Sequence, residues 1–352
     1  MRQIARKAAA GLRVIGCKLL KRYVPFELNI HITDRCNLRC TYCYSNFYAR
    51  RLPDIPRQGI FRIVNEFKKL GSIEVSLIGG EPFLHPAISE IIHYVKDKGL
   101  FCSAVTNGYF LKNRLEAVKR LDMVCVSLDG PEAVNDITRG AGSYRRAAEA
   151  IELLKGLGVN TSIRATLQKH NLGHLDDIVA IAERYRVILN FGLLFPQSSP
   201  DGSTKTVSGD TPEDAQYKEA LKKIIALKKE RPGRFFNSRA NFFNAYNWPA
   251  SYTRFFLYQG ELAGFPGFRP VPCFGGRGFA TVDTDGRLYP CTNLIGYYDA
   301  PNVLEMDIPA AWKAVNGHNC AACFYLSSVE KNLVFNANPD ALWNLIRVKR
   351  LR

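Results

Sequence analysis

Short extended segments alternate with amphipathic helical segments from residue 26 to about residue 197. The extended segments are "FELNIHIT", "IEVSLIG", "FCSAVTN", "MVCVSLD", "NTSIRATL" and "ILNFGLLF". Between them lie segments with helical apolar periodicity, and three of these end at glycine: "QGIFRIVNEFKKLG", "AISEIIHYVKDKG" and "YRRAAEAIELLKGLG". Repeated strand-helix units build parallel sheets, so the sequence predicts an α/β fold, either doubly wound or curved into a partial barrel.

The polar residues of these segments fall on one face of the predicted sheet. In the first segment, Glu27, Asn29 and His31 alternate with Leu28 and Ile30. A parallel strand covered on both faces reads instead as a continuous apolar run. The alternation therefore favours an open partial barrel whose polar face lines an interior for polar ligands. Later segments repeat the pattern with Glu74 and Ser76, Ser127 and Asp129, and Arg164 and Thr166.

The cysteines indicate metal binding in a reducing compartment. The chain has ten cysteines in 352 residues, and most of them cluster near its two ends, which is not the pattern of a disulfide framework. No apolar run approaches the roughly 18 residues of a membrane span. We therefore expect a cytoplasmic protein that is not integral to a membrane.

Basic residues dominate the chain and its first segment. The formal net charge of +16 makes nucleic acid, anionic lipid and phosphorylated substrates all chemically suitable partners, although we do not expect nucleic acid. Residues 1–24 carry seven Arg or Lys, no acid, and an apolar stripe from Ile4 to Tyr23. This basic amphipathic helix either packs on its own domain or lies on an anionic membrane surface, where it would hold the protein peripherally on the inner face.

Three cysteines lie close together in "ITDRCNLRCTYCYSN", at Cys36, Cys40 and Cys43. A closed structural zinc site uses four ligands, so three thiols leave a metal with an open position. They fit three irons of a 4Fe-4S cube whose fourth iron binds a small molecule. The alternative is a zinc site completed by His31 or Asp34.

Ligand-type residues also end the next three strands. "SLIGGEPFLHP" presents Gly79 and Gly80, where the backbone can bend and approach a ligand, and Glu81, which can accept hydrogen bonds from an ammonium. "AVTNG" and "VSLDG" then present hydrogen-bonding groups suited to a ribose: Asn107, Ser127 and Asp129. Parallel strands place their carboxyl ends at one edge of the sheet, so we expect these residues to lie close together.

Over residues 26 to about 200 the chain resembles the radical S-adenosylmethionine (SAM) enzymes. In that family C-x3-C-x2-C binds a 4Fe-4S cluster, and its open iron chelates the amino and carboxylate groups of SAM. The resemblance places Tyr42 at the aromatic position before the last cysteine, and Gly79, Gly80 and Glu81 at the methionine ammonium. It also implies ribose contacts for Ser127 and Asp129, beside Asn107, and it places Arg164 and Asn171 together near the methionine carboxylate. The family fold is a partial (β/α)6 TIM-like barrel.

A second set of thiols lies near the C-terminus. "CFGGRGFATVDTDGRLYPC" holds Cys273, Gly286 and Cys291, and "CAAC" holds Cys320 and Cys323. The "TVDTDGRLYPC" stretch predicts a hairpin with Asp-Gly at its turn, which brings Cys291 beside Cys273. From the chemistry of four thiols, zinc and a 4Fe-4S cluster are both candidates. The C-x12-G-x4-C segment, however, resembles the SPASM and twitch modules of radical SAM enzymes, which implies one auxiliary 4Fe-4S cluster.

We therefore divide the chain into four parts. Residues 1–24 form the N-terminal helix, 25–235 the partial barrel, 236–270 an aromatic-rich connection, and 271–352 the small C-terminal auxiliary-cluster domain with its extension. Residues 197–214 form a polar loop, predicted as a lid or as a disordered spacer. The ten aromatics of residues 235–258 predict either core packing between domains or an apolar contact with substrate or membrane.

The resemblance implies an enzyme that reductively cleaves SAM to a 5'-deoxyadenosyl radical, which abstracts a substrate hydrogen. The chain would then need an external one-electron reductant of the flavodoxin or ferredoxin type. We expect a peptide or protein substrate; a lipid or saccharide substrate is the first alternative, and a non-catalytic iron-sulfur or zinc protein the second. The candidate substrate or catalytic residues face the predicted interior: Glu27, Asn29, His31, Glu74, Ser76 and Cys125.

Overall fold

The computed structural model describes residues 23–43, 50–194, 197–198, 204–205, 210–316 and 318–349. The predicted N-terminal helix, apart from its last two residues, lies outside the described residues. Half of the predicted polar loop, residues 199–203 and 206–209, lies outside them too. The described part of that loop contains two short strands that pair antiparallel, β7 (Gln197–Ser198) and β8 (Thr204–Lys205).

Six parallel strands form the main sheet in chain order, so each strand pairs with the next. The predicted parallel sheet is confirmed, and every predicted segment contains one strand. The strands are β1 Glu27–His31, β2 Glu74–Ile78, β3 Phe101–Thr106, β4 Met123–Ser127, β5 Thr161–Leu167 and β6 Ile188–Leu193.

Helices connect these strands and cover one face of the sheet. Gly71, at φ 110°, ends the first helix in the left-handed conformation that glycine favours. No helix in the described ranges is long and apolar enough to cross a bilayer. The helices are α1 Arg57–Leu70, α2 Ile88–Asp97, α3 Leu115–Lys119, α4 Glu132–Arg139, α5 Ser143–Gly156 and α6 Leu175–Arg184.

The two faces of the strands differ as the alternation predicts. Leu28 and Ile30 of β1, and Val75 and Leu77 of β2, are fully buried in the core beneath the helices. Asn29, between the two buried residues of β1, is only partly buried. This separation of polar from apolar side chains leaves a polar face opposite the helices.

The C-terminal part of the chain extends the same sheet. Its elements are α7 Asp214–Glu230, α8 Arg239–Tyr246, β9 Phe256–Tyr258, β10 Phe279–Val282, β11 Leu288–Tyr289, α9 Ile308–Val315, β12 Cys320–Cys323, α10 Leu326–Phe335 and α11 Pro339–Lys349. Strand β10 pairs in parallel with β1, and β11 pairs antiparallel with β10. The predicted hairpin is therefore confirmed, and it completes an eight-stranded sheet.

Helix α10 lies over the polar face of the sheet. Lys331 forms an ion pair with Glu27 of β1. At the other end of the helix, Ser327 accepts a hydrogen bond from Arg164 of β5 at 2.8 Å. The interior that the sequence predicts for polar ligands is thus partly covered by the chain's own C-terminal part.

The aromatic-rich connection packs into the core, which is the first of the two roles predicted for it. Trp248, Tyr252 and Phe255 are buried, and Trp248 and Tyr252 both contact the ring of Phe324 edge-on. Strand β9, at the end of this segment, pairs antiparallel with β12, so that Phe256 lies opposite Cys323. The connection therefore supports the strand that carries the last two cysteines.

Candidate cofactor site

The loop that carries Cys36, Cys40 and Cys43 follows β1 at the carboxyl edge of the sheet. All three thiols are partly buried. Burial, together with the charges of Glu81, Cys40 and Cys43, raises the pKa of Cys36 to about 12, against a backbone hydrogen bond that lowers it. The three thiols therefore lie close enough to influence one another.

Gly79 and Gly80 hold the start of this loop through close backbone contact. Gly80 N donates to the Thr33 carbonyl at 2.8 Å, and Glu81 N donates to the Arg35 carbonyl at 2.7 Å. A Cβ on Gly79 would overlap the Thr33 carbonyl oxygen, and one on Gly80 would overlap that of Arg35. Glycine is thus needed at both positions because the backbone of residues 79–81 contacts that of residues 33–35. The sequence did not reveal this reason.

The Glu81 carboxylate is fully buried and connects β2 to the end of β3. It accepts hydrogen bonds from Thr106 Oγ1 at 2.8 Å, Asn107 N at 2.8 Å and Phe83 N at 3.2 Å. Burial raises its pKa to about 7, although the three donors lower it. A buried carboxyl group with a pKa near 7 ionises when a cation binds beside it, because the cation stabilises the charged form.

The cysteine loop is also anchored to the segment after β3 and to helix α4. Asn107, after β3, donates through Nδ2 to Asn37 Oδ1 at 2.8 Å. Thr41 N donates to the Thr138 carbonyl at 3.1 Å. Since Asn37 follows Cys36 and Thr41 follows Cys40, these contacts hold the loop beside the carboxyl edge.

Asp129, at the end of β4, is the centre of a buried polar cluster. It accepts a hydrogen bond from the Tyr42 hydroxyl at 2.6 Å, from Arg139 Nε at 2.6 Å and from Thr166 N at 2.8 Å. The Arg139 guanidinium also lies 5.4 Å from the centre of the Tyr42 ring. Both carboxylate oxygens of Asp129 thus have partners within the protein, in addition to any contact with a ribose.

Asn171 and Arg164 lie in different surroundings although the resemblance groups them. Asn171 is buried and donates to the carbonyls of Asp129 at 3.1 Å and Thr166 at 2.8 Å. Arg164 points to the C-terminal part of the chain, where it donates to the hydroxyls of Ser327 and, at 3.2 Å, Tyr325. Asn171 therefore braces the end of β4, while Arg164 connects the sheet to α10.

The remaining candidate residues lie on the polar face. Glu27 is paired with Lys331, and Cys125 is buried, with a pKa that burial raises. Glu74 and Ser127 are partly exposed, and Ser76 is buried. Asn29 donates to Thr281 Oγ1 at 3.4 Å, which shows that β10 shares this face.

An ion-pair cluster that sequence reasoning missed connects the cysteine loop to the C-terminal hairpin. Arg50 donates to Asp34 at 2.8 and 2.9 Å and to Asp283 at 2.7 and 2.9 Å. His31 Nδ1 lies 3.2 Å from Asp283 Oδ1. Although burial raises the pKa of Asp283, His31 and Arg50 hold it well below its ordinary value.

The four C-terminal cysteines line one cavity with Phe255, Phe256 and His318. Burial, together with the charge of Cys273, raises the pKa of Cys291 to about 12. Burial likewise raises the pKa of Cys320, and the charges of the other three thiols raise it further. The predicted approach of Cys291 to Cys273 is confirmed, and β12 brings the last two cysteines to the same cavity.

His318 is a lining residue of this cavity that sequence reasoning missed. Its Nε2 donates to the Gly275 carbonyl at 2.8 Å. Only its position two residues before "CAAC" could have drawn attention to it.

Both sets of thiols have the donor chemistry that a 4Fe-4S cluster uses. Within the described ranges, no three His, Cys, Asp or Glu side chains are arranged to hold one ion. His31 and Asp34, the proposed zinc ligands, are engaged with Asp283 and Arg50. A 4Fe-4S cube spreads its thiolates over separate irons, and its positive charge can offset the raised thiol pKa values. The thiols present therefore fit such a cluster.

Comparison with known proteins identifies the family. The model of the radical SAM superfamily matches residues 30–182. Mycofactocin maturase MftC of Mycobacterium ulcerans (strain Agy99) is 30% identical over 273 residues, which cover 76% of this chain and 68% of that protein. The chain therefore belongs to the radical SAM superfamily, whose members use a 4Fe-4S cluster and SAM, and it is an enzyme.

Two further similarities show how varied the relatives are. GTP 3',8-cyclase of Aquifex aeolicus (strain VF5) is 29% identical over 306 residues, covering 81% of this chain and 88% of the cyclase. The crystal structure of Streptococcus suis SuiB bound to precursor peptide SuiA superimposes with a TM-score of 0.65 at 19% identity, covering 90% of this chain and 70% of SuiB. The fold is thus that of radical SAM enzymes with a partial TIM barrel.

Proposed function

We propose that this enzyme applies radical SAM chemistry to a peptide substrate. In this proposal Cys36, Cys40 and Cys43 hold the SAM-binding cluster, and a second, auxiliary 4Fe-4S cluster is held by Cys273, Cys291, Cys320 and Cys323. A flavodoxin or ferredoxin type of protein would deliver the electrons. When bound, the reduced cluster and SAM supply a 5'-deoxyadenosyl radical that abstracts hydrogen.

The chain's own residues have positioning roles in this proposal. The close contact of Gly79 and Gly80 with the cysteine loop, and the Asn107 anchor, fix where the first three thiols lie. Glu81 offers a buried carboxylate to the SAM ammonium, because a cation beside it would stabilise its ionised form. Helix α10 covers part of the polar face, and less water on that face would protect a radical from side reactions.

One observation supports a peptide as the substrate. The likeness to SuiB with its bound precursor peptide covers 90% of this chain, and so includes both the barrel and most of the C-terminal part. The family by itself does not select a peptide, since one relative is a GTP cyclase. A peptide has an extended shape that can follow the open edge of a partial barrel.

The two-cluster proposal is tested by iron content after anaerobic reconstitution. We expect about eight irons per chain, because seven thiols form two ligand sets of three and four. Changing Cys36, Cys40 and Cys43 together to Ala should remove about half of the iron and all formation of 5'-deoxyadenosine. Unchanged iron in that variant would refute the first ligand set, and unchanged iron after loss of Cys320 and Cys323 would refute the second.

The substrate proposal needs a separate measurement. The peptides encoded by short open reading frames beside the gene are synthesised with deuterated side chains and incubated with reduced enzyme and SAM. Transfer of deuterium into 5'-deoxyadenosine, with a matching mass change in the peptide, is the expected result. Deuterium transfer from lipid or saccharide fractions but from none of the peptides would reject the peptide and leave the radical chemistry intact.

A further inference from the structure

Helix α11 (Pro339–Lys349) is apolar on two opposite sides. One side faces the core, where Ala341 and Val348 are buried. The other side exposes large apolar side chains, with exposed fractions of 38% for Leu342, 52% for Trp343, 37% for Leu345 and 48% for Ile346. A surface helix usually has one apolar stripe, so the second side calls for a partner.

The neighbouring helix α8 exposes a further large apolar side chain. The two helices pack together, and Asp340 of α11 accepts a hydrogen bond from Ala240 N of α8 at 2.8 Å. Phe243 of α8 is 41% exposed. We define the α11 patch as Phe243, Leu342, Trp343, Leu345 and Ile346. It contains half of the ten exposed large apolar side chains in the described part of the chain.

Two guanidinium groups lie beside aromatic rings of the α11 patch. The Arg239 guanidinium lies 5.9 Å from the centre of the Phe243 ring, and that of Arg347 lies 5.4 Å from the centre of the Trp343 ring. The sequence from 339 to 352 contains four Arg or Lys and a single acid, Asp340, which is already bonded to α8. The partner of this surface should therefore be negatively charged.

Charge and size argue against a protein as the partner of the α11 patch, whether a second copy of this chain, its own residues 1–24 or another protein. A second copy of the chain would bring the same positive rim against itself, and residues 1–24, with seven basic residues and no acid, would be repelled as well. Five partly exposed side chains offer roughly 400 Å², about half of what one partner buries in a standard protein interface. A lipid surface needs no such area, since shallow insertion of Trp and Leu beside basic residues is how interfacial helices bind.

We propose that the α11 patch docks this enzyme on an anionic lipid bilayer. Trp343 and Ile346 lie at the level of the lipid headgroups, and Arg239 and Arg347 contact the lipid phosphates. This proposal is independent of the substrate and of the cluster assignments. It also differs from an anchor at residues 1–24, because the patch lies at the other end of the chain.

Trp343 makes the proposal directly measurable. The other two tryptophans, Trp248 and Trp312, are buried at 2% and 5% exposure, so Trp343 dominates any change in fluorescence on binding. The full-length protein is mixed with vesicles of phosphatidylglycerol and phosphatidylcholine, and with vesicles of phosphatidylcholine alone. We expect a blue shift and quenching by brominated lipid with the anionic vesicles, both weakened by salt.

Variants in the full-length chain identify the surface. Replacing Trp343 and Ile346 together by Ser should weaken co-sedimentation with anionic vesicles about tenfold to a hundredfold, because two apolar side chains no longer insert. Ile137→Ser is the matched control, since Ile137 is 62% exposed on α4 and outside the patch. That control should sediment like the unmodified protein.

Each remaining result would overturn the proposal. Equal sedimentation of the double variant and the control would assign lipid binding to another part of the chain, including residues 1–24. A dimer in light scattering that the double variant abolishes would make a second copy the occupant. A Trp343 that resists iodide quenching in the monomer without lipid would show that the chain itself covers the patch.

Discussion

At Glu81, one buried carboxylate joins two strand ends and titrates near neutrality. Its raised pKa, about 7, means that between its ordinary value of 4.5 and 7 the folded chain binds more protons than the unfolded chain. The free energy of unfolding therefore falls as pH rises through this interval, by on the order of 3 kcal/mol at most.

We expect Glu81→Gln to remove this pH dependence. The unfolding free energy of the unmodified apoprotein minus that of the variant should decrease from about pH 5 to about pH 7. In this interval the unfolded unmodified chain releases the Glu81 proton, whereas Gln has no proton to release. Urea unfolding under reducing conditions at several pH values measures the difference. A difference that stays constant with pH would contradict the burial of a titrating carboxylate at this position.

Asp129 offers a second test at the scale of single residues. Asp129→Asn leaves the buried Arg139 without its charged partner, so we expect a loss of about 3 to 5 kcal/mol in unfolding free energy. Glu149→Gln is the control, because Glu149 pairs with Lys112 and Arg146 at the exposed surface, where solvent screens the charges, so the unfolding free energy should stay close to that of the unmodified protein. A stable Asp129→Asn protein with weakened SAM binding would instead favour the ribose contact.

At the scale of elements, the turn after β2 decides where the cysteine loop lies. Gly80→Ala should displace residues 33–35, since its Cβ would overlap the Arg35 carbonyl oxygen. We expect the iron bound after reconstitution to fall by about half, because only the cluster held by Cys36, Cys40 and Cys43 depends on this contact.

The control for that prediction is Gly173→Ala. A Cβ on Gly173 meets no atom within 4 Å, so iron content should not change. Iron is measured in both variants beside the unmodified protein, together with far-ultraviolet circular dichroism to confirm folding. Full iron content in a folded Gly80→Ala protein would show that the glycine contact does not position the thiols.

At the scale of the whole molecule, the C-terminal part completes the sheet that the barrel begins. Strand β10 covers the edge of β1, Lys331 pairs with Glu27, and Arg50 connects Asp34 to Asp283. We expect a chain that ends at Phe235 to lose cooperative unfolding, because it exposes a strand edge, removes the partner of Glu27 and takes one of two carboxylates from Arg50.

Urea unfolding followed by near-ultraviolet circular dichroism measures that loss. The full-length apoprotein serves as the reference and should unfold in a single transition. A truncated chain that unfolds cooperatively at a similar urea concentration would show that residues 25–235 fold as an independent domain, as the division by sequence predicts.

Local patterns in the sequence were sufficient to predict the strands and helices and to separate the cysteines into two sets. Strand alternation at Leu28 and Ile30 and helical periodicity between strands follow from backbone geometry and burial, which each segment encodes by itself. The Asp-Gly turn likewise predicted the hairpin of β10 and β11 from neighbouring residues.

Only the tertiary structure decided which distant groups meet. Arg50 and Asp283 are 233 positions apart, and the Tyr42 hydroxyl reaches Asp129 across 87 positions. Nor could the sequence show that α10 covers the polar face or that α11 keeps a second apolar side exposed. The physical reason is that a charge pair or a packed helix depends on the path of the chain between its members, whereas periodicity records only what each segment does locally.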